Sequence, residues 1–286
     1  MLGRVLDGKK MAETIKSSLK RNISSLSAYG KIKLIVVTIG DNPSSRIYMS
    51  AQKRVAGALG IEYRVKKYPV SVSQGKLEAE IERLNKDNSV TGLIVQAPVP
   101  KKIDIEKLLS KIAPEKDAEG LNPSNIGRLA YEKWTVAPST ASACLYLIES
   151  TGVKLEGKEA VIVGHSPIVG KPLALMLLKN LATTTVCHVG TYRRGLLKEH
   201  VKRAEILVVA VGKGGLIKGS WVKKNAIVID VGINPKDGRI TGDVEFANAR
   251  KRAAYITPVP GGVGPVTTIM LMKNLVELYK VQRKKR

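Results

Sequence analysis

Short runs of consecutive apolar, largely β-branched residues recur along the chain and alternate with segments whose apolar residues fall three or four apart. The first kind reads as strands buried on both faces, the second as amphipathic helices. KLIVVTIG (33–40) and VTGLIVQAPVP (90–100) are strands on this reading. Between them lie a helix from Pro43 to about Leu59 that Gly60 stops, the strand EYRVKKYPV, and the helix SQGKLEAEIERLNKD. Asp41 or Asn42 is placed to cap the first of these helices, with Pro43 in its first turn. A second series follows the Pro/Ser/Thr-rich TVAPSTASA: EAVIVG (159–164), TTVCHVG (184–190), AEILVVAVG (204–212), NAIVIDVGIN (225–234) and AAYITPVPGG. Helices are expected at 169–180, about 194–202 and about 266–281, with a turn near GSWVKK. Such alternation predicts an α/β protein of two α/β domains with parallel sheets.

Composition narrows this only a little. The 286 residues are 44% hydrophobic and 25% charged, as in a globular protein with room for sizeable cores. No apolar run approaches the roughly 18–20 residues that span a bilayer, and the opening MLGRVLDGKKMAETIKSSLK lacks the apolar stretch of a signal peptide. Cys144 and Cys187 are too few and too scattered for a disulfide framework or a zinc site, so no metal and a cytoplasmic setting are expected. The net charge of +24 raises nucleic acid as a partner. Its Lys and Arg residues are spread along the chain, however, and only KVQRKKR at the end is a dense run. No nucleic acid is therefore expected, and the diffuse positive field favours small anionic ligands.

AVIVG runs straight into HSPIVGKPLALMLLKN, a strand, tight turn and helix. Gly164 closes the strand and Gly170 lies six residues on, in the first helical turn, where a small residue leaves the amides free for a pyrophosphate. The spacing departs from G-x-G-x-x-G, with Ser166 in place of the second glycine. At the end of the next strand, CHVGTYRR offers no carboxylate for a ribose 2′-hydroxyl, and His188, Arg193 and Arg194 stand close by. That favours NADP, with NAD as the alternative.

The strings GHSPIVGKP, IDVGIN, GDVEF and ITPVPGGVGPVTT, with GLIVQAPVP and KDAEGLNPSNIGRL upstream, resemble the methylenetetrahydrofolate dehydrogenase/methenyltetrahydrofolate cyclohydrolase family over nearly the whole chain. The resemblance implies an N-terminal folate domain, 1–135, completed by a C-terminal helix at 266–286. It also implies a Rossmann-type domain at 136–265, folate held in the cleft between the two, and a homodimer. The implied reaction passes a hydride from the methylene carbon of 5,10-methylenetetrahydrofolate to the nicotinamide, and water then opens the methenyl ring. The first step needs positioning and exclusion of water, the second a group that moves protons.

Matched residue by residue, Tyr48 falls on the family's active-site tyrosine and Gln96 on the glutamine that orients its catalytic lysine. Gly164, His165, Ser166 and Gly170 match the cofactor loop, Val189 a position near the 2′-phosphate, and Ile233 one beside the nicotinamide. The loop from Pro258 to Thr267 matches the one that closes over the ligands. Pro258, Gly261 and Gly262 are expected on its folate side, Gly264 and Thr267 on its cofactor side.

Several positions depart from that pattern. The family's tyrosine and lysine are four apart, which puts Gln52 in the lysine's place and Lys53 one too far. At about 100° per residue, position i+5 is swung roughly 140° from Tyr48. Glutamine cannot act as acid or base. Ser139 stands for a cysteine, Glu119 for the aspartate that holds the pterin, His165 for a frequent arginine and Val189 for a frequent serine. The expectation is a dehydrogenase with weak or absent cyclohydrolase activity. The alternatives are a bifunctional enzyme in which Lys53 reaches round, another Rossmann dehydrogenase, and a non-catalytic basic binding protein.

Overall fold

The computed structural model describes residues 2–26, 30–236 and 238–284. Its strands are β1 (Arg4–Val5), β2 (Lys33–Ile39), β3 (Glu62–Tyr68), β4 (Gly92–Val95), β5 (Glu159–Val163), β6 (Thr183–Cys187), β7 (Ile206–Val209), β8 (Ile227–Asp230), β9 (Asn234–Lys236), β10 (Arg239–Thr241) and β11 (Tyr255–Ile256). Its helices are α1 (Gly8–Leu26), α2 (Pro43–Ala58), α3 (Gln74–Lys86), α4 (Ile105–Lys111), α5 (Pro123–Ala130), α6 (Ser139–Glu149), α7 (Gly170–Lys179), α8 (Val189–Arg193), α9 (Leu197–Arg203), α10 (Phe246–Arg250) and α11 (Val263–Lys284). No described helix is long and apolar enough to cross a membrane.

The chain divides into two compact α/β units. Met1–Glu13 with Thr140–Thr267 forms one, and Thr14–Ser139 with Thr268–Arg286 forms the other. The opening strand is a departure from the boundaries drawn on sequence. β1 pairs in parallel with β11, so the first residues join the sheet of the unit that holds Thr140–Thr267 rather than the N-terminal one. Two residues with no apolar run carry too little signal to assign a sheet in advance.

The first unit is built on a parallel six-stranded sheet of Rossmann type, in the order β1-β11-β8-β7-β5-β6. Val161, Val163, Leu207, Val209, Val228 and Ile256 share one buried cluster in it. The chain leaves β5, forms β6 on one side, then continues with β7 and β8 on the other. The strand order therefore reverses between β5 and β7, and in sheets of this kind ligands settle at the carboxyl ends beside that reversal.

The second unit has a parallel three-stranded sheet, β3-β2-β4. β2 is buried on both faces, with Ile35, Val37 and Ile39 packed against Leu77, Ile81 and Leu84 of α3. The end of the long final helix belongs to this unit, as the fold class predicts. Asn274 donates to the Ala118 and Ala137 carbonyls at 3.0 and 2.8 Å, and Tyr279 to the Gly30 carbonyl at 2.9 Å. α11 begins at Val263, three residues earlier than its apolar spacing suggested.

Candidate active site

The candidate residues fall into two groups, one in each unit. In the Thr14–Ser139 unit they gather at the carboxyl edge of β3-β2-β4. Asn42 caps α2 by accepting from the Ser45 amide at 3.2 Å, and Ser45 in turn donates to the Ala97 carbonyl at 2.9 Å. The first turn of α2 is thereby fastened to the segment that leaves β4. Tyr48 lies on the next turn, 38% exposed, its hydroxyl pushed up from the ordinary phenol range by partial burial.

One turn further along α2, Gln52 is only 7% exposed, and its Oε1 accepts a 2.8 Å hydrogen bond from the hydroxyl of Tyr63 on β3. Lys53 is exposed. Gln52 therefore faces inward and Lys53 outward. Gln96 does not touch that position by a hydrogen bond. Its amide donates to the adjacent Ala97 carbonyl at 3.1 Å, while its backbone amide pairs with Val37 at 2.8 Å.

Glu119 reaches the same edge by a short parallel bridge of Asp117 to Leu93. Asp117 is buried and accepts from the Asn122 amide at 2.7 Å, the Gly120 amide at 3.0 Å and the Asn125 side chain at 2.9 Å. Asn274 ties the Ala118 carbonyl of this turn to the Ala137 carbonyl, and Ser139, also buried, lies 3.4 Å from its amide. Asp117, Asn125 and Asn274 brace the turn that carries Glu119, and sequence reasoning missed all three. Asn125 and Asn274 are lone polar residues on helices, and Asp117 one in an irregular turn, none with a local sign that it faces inward.

Glu119 is half-buried and has no hydrogen-bond partner among the described residues. Burial, and then the Asp117 carboxylate, push its carboxyl up to about 8. The folded chain therefore keeps a proton that the unfolded chain releases near the ordinary glutamate value. Wherever the folded state binds more protons, stability falls as pH rises. Glu119 thus lowers stability between about 4.5 and about 8 and adds nothing further above that. Asp230, raised to about 6 chiefly by burial, acts in the same direction over a lower window. Glu80, lowered to about 2 by Arg83 and Lys66, opposes both, but only below about 4.5. Denaturant midpoints measured at pH 6.5 and 8.5 should show the loss, at most about 1.4 kcal/mol per pH unit. Glu119→Gln should flatten that difference.

In the other unit, Gly164 follows β5 and Gly170 opens α7. A Cβ on Gly170 would lie 2.0 Å from the Gly164 carbonyl oxygen, and one on Gly164, where φ is +120°, would lie 2.3 Å from the Ala210 carbonyl oxygen. The helix can approach the strand this closely only because both residues are glycine. Ser166 does not replace a glycine idly: its hydroxyl accepts from the Val169 amide at 3.1 Å and closes the turn. Beside the loop opens a cavity of about 650 Å³, whose wall includes His165, Lys171, His188, Val189, Tyr192 and Lys213. It stands at the strand-order reversal, and its size suits a nucleotide.

The residues after β6 form α8 rather than continuing the strand to Gly190. His188 caps that helix, its Nδ1 accepting from the Gly190 amide at 3.1 Å, and its ring lies 5.3 Å from that of His165. Val189 is exposed on the cavity wall. The cations on that wall are Lys171 and Lys213, not Arg193 and Arg194. Lys213 sits 5.0 Å from the centre of the Tyr192 ring. No carboxylate lines the cavity among the described residues.

Ile233 is exposed just beyond β8. Pro258 to Gly262 form a turn held to the start of the chain, where the Gly8 amide donates to the Gly261 carbonyl at 3.0 Å. Gly262 is buried against Pro258 and Thr257, Gly264 opens the first turn of α11, and the Thr267 hydroxyl bonds the Val263 carbonyl of its own helix at 3.2 Å. No group of His, Cys, Asp and Glu suited to a metal occurs among the described residues.

Residues 6–119 match the family described as tetrahydrofolate dehydrogenase/cyclohydrolase, catalytic domain, and residues 138–283 match its NAD(P)-binding domain. A bifunctional protein FolD from Nitratiruptor is 44% identical over 284 residues, covering 99% of each chain. Among solved structures, the FolD methylenetetrahydrofolate dehydrogenase/cyclohydrolase of Campylobacter jejuni is 39% identical with a TM-score of 0.92, over 99% of each chain. The Trypanosoma brucei enzyme, solved with NADP and an inhibitor, is 38% identical with a TM-score of 0.94, covering 100% of this chain and 99% of its own.

Proposed function

The chain belongs to the tetrahydrofolate dehydrogenase/cyclohydrolase family, and from that premise we propose that it oxidises 5,10-methylenetetrahydrofolate with NADP and has lost the cyclohydrolase step. The observation that carries the second half is Gln52: buried, neutral, in the register of the family's lysine, and bonded to Tyr63.

The dinucleotide, when bound, supplies the acceptor for the hydride. The chain's part in that step is positioning. Gly164 and Gly170 leave space for the pyrophosphate against the first turn of α7. Lys171 and Lys213 supply positive charge to the cavity wall, and the absence of a carboxylate there supports NADP over NAD. In the other unit, Tyr48 offers a ring and a neutral hydroxyl to the pterin, and Glu119 its polar end. The folate's own N5 and N10 lone pairs stabilise the cation left after hydride departure, so no residue need take a proton. Hydration of that cation and ring opening do need one moved, and Gln52 has no proton to give or take at any working pH.

The test is a spectrophotometric assay with 5,10-methylenetetrahydrofolate, run with NADP and then with NAD. Reduction of the nucleotide should be faster with NADP and should equal the appearance of methenyltetrahydrofolate absorbance. Faster reduction of NAD would overturn the cofactor assignment, and no reduction of either would overturn the dehydrogenase.

A further inference from the structure

Two buried carboxylates behind the dinucleotide cavity have no part in the reaction described so far. Asp243 has no exposed surface, and Asp230 almost none. Asp243 Oδ2 accepts from the backbone amides of Val211 and Gly212 at 2.8 and 2.9 Å, and its Oδ1 accepts from the Asn234 side chain at 2.8 Å. Asp230 accepts from the amides of Gly232 and Asp243 at 3.0 Å each and of Val244 at 2.9 Å. Its own amide donates to the Thr257 hydroxyl at 2.8 Å, one residue before the Pro258 turn.

These bonds gather segments far apart in sequence. Val211 and Lys213 are part of the cavity wall, and Gly212 between them turns with φ of +67°. Ala210, next to them, is the residue whose carbonyl faces Gly164. Asn234 follows Ile233 and opens β9, four residues beyond the end of β8. The fit around the two carboxyls is tight. A Cβ on Gly232 would fall 2.2 Å from the Asp243 carboxyl carbon, and one on Gly242 would fall 2.0 Å from Asp230 Oδ2. The carboxylates alone therefore require glycine in IDVGIN and in GDVEF.

We infer that Asp243, braced by Asp230 and tied to the Asn234 side chain, is a positioning residue that fixes the 210–213 turn as the rigid wall against which the dinucleotide binds. A carboxylate suits this because it accepts on both oxygens and donates nothing, and every group aimed at it is a donor. Without it, two turn amides and the Asn234 side chain lose their buried acceptor, and the wall relaxes to find others.

The inference rests on the dinucleotide reading of the cavity. The experiment titrates the whole protein with NADPH and NADH by fluorescence, in wild type, Asp243→Ala, Asp243→Asn and Val222→Ala. Val222 is buried in the same core but does not line the cavity, so its truncation reports loosening alone. Asparagine keeps one oxygen for the turn amides, with the Asn234 amide free to reverse, and should rescue in part. The expected order is wild type and Val222→Ala alike, Asp243→Asn weaker by about tenfold, and Asp243→Ala by about a hundredfold. If Asp243→Ala does not fold, the Asp243→Asn and Val222→Ala pair decides. Equal affinity in those two overturns the positioning role. Wild type binding neither nucleotide would overturn the dinucleotide reading itself.

Discussion

Gln52→Lys should raise the rate of methenyltetrahydrofolate hydrolysis by about 10²–10⁴-fold, the usual worth of one positioned acid–base group. The site is prepared for the exchange. The glutamine side chain and a lysine stem follow similar paths from α2, and the Tyr63 hydroxyl, which now donates to Gln52 Oε1 at 2.8 Å, can accept from an ammonium instead. The position is 7% exposed, and burial of this degree lowers an ammonium pKa toward the range in which it exchanges protons near neutrality. Hydride transfer, which uses no proton from this position, should change by less than about tenfold. The measurement is decay of methenyltetrahydrofolate absorbance, with nucleotide reduction as the control. Gln52→Ala should gain nothing, because it removes the Tyr63 acceptor without supplying a base. A folded Gln52→Lys protein that hydrolyses no faster than wild type would place proton transfer elsewhere.

The second large effect is expected at Gly170. An alanine Cβ there would meet the Gly164 carbonyl oxygen at 2.0 Å, the Gly164 carbonyl carbon at 2.8 Å and the His165 Cα at 3.0 Å. All three are backbone atoms, which cannot swing aside as a side-chain end can. Either α7 moves away from β5 or the 164–166 turn is pushed into the cavity. Both displace the amides meant for the pyrophosphate, and a shift near 1 Å is worth about a hundredfold in such a site. Gly170→Ala should therefore weaken NADPH binding by about that factor, and overpacking should cost about 1–3 kcal/mol of stability. Gly75 on α3 is the control, since nothing lies within 4 Å of its missing Cβ. Gly75→Ala should bind normally and melt no lower, because alanine is the better helix former. Wild-type affinity in Gly170→Ala would show that the close helix–strand approach is not what holds the dinucleotide.

The sequence carried the frame because the frame is written in local patterns. β2, β5, β7 and β8 are β-branched runs buried on both faces, and α2, α3, α7 and α11 are long enough for their period to be read. Gly164 and Gly170 were legible because they sit at a strand–turn–helix junction. Gln52 was legible because the resemblance puts the family's lysine four residues beyond Tyr48. What escaped notice was held by contacts distant in sequence. β1 has two residues and takes its place from β11, about 250 positions away. α8 looked like strand because its cap is a histidine side chain, a residue outside the usual capping set. Lys171 and Lys213 reach the cavity where Arg193 and Arg194 do not, and only the turn of each backbone decides which cation faces it. Tyr63, the partner that makes Gln52 a settled buried group, lies 11 residues on in another element and follows no motif.

The central claim is that this chain passes a hydride but does not open the ring. It is tested most directly by adding wild-type protein to methenyltetrahydrofolate without nucleotide and following the absorbance against the same buffer alone. The account predicts equal decay with and without protein, at any protein concentration. Decay that rises with protein, saturates with substrate and disappears in Lys53→Ala or Gln52→Ala would contradict it, and would name the residue that moves the proton.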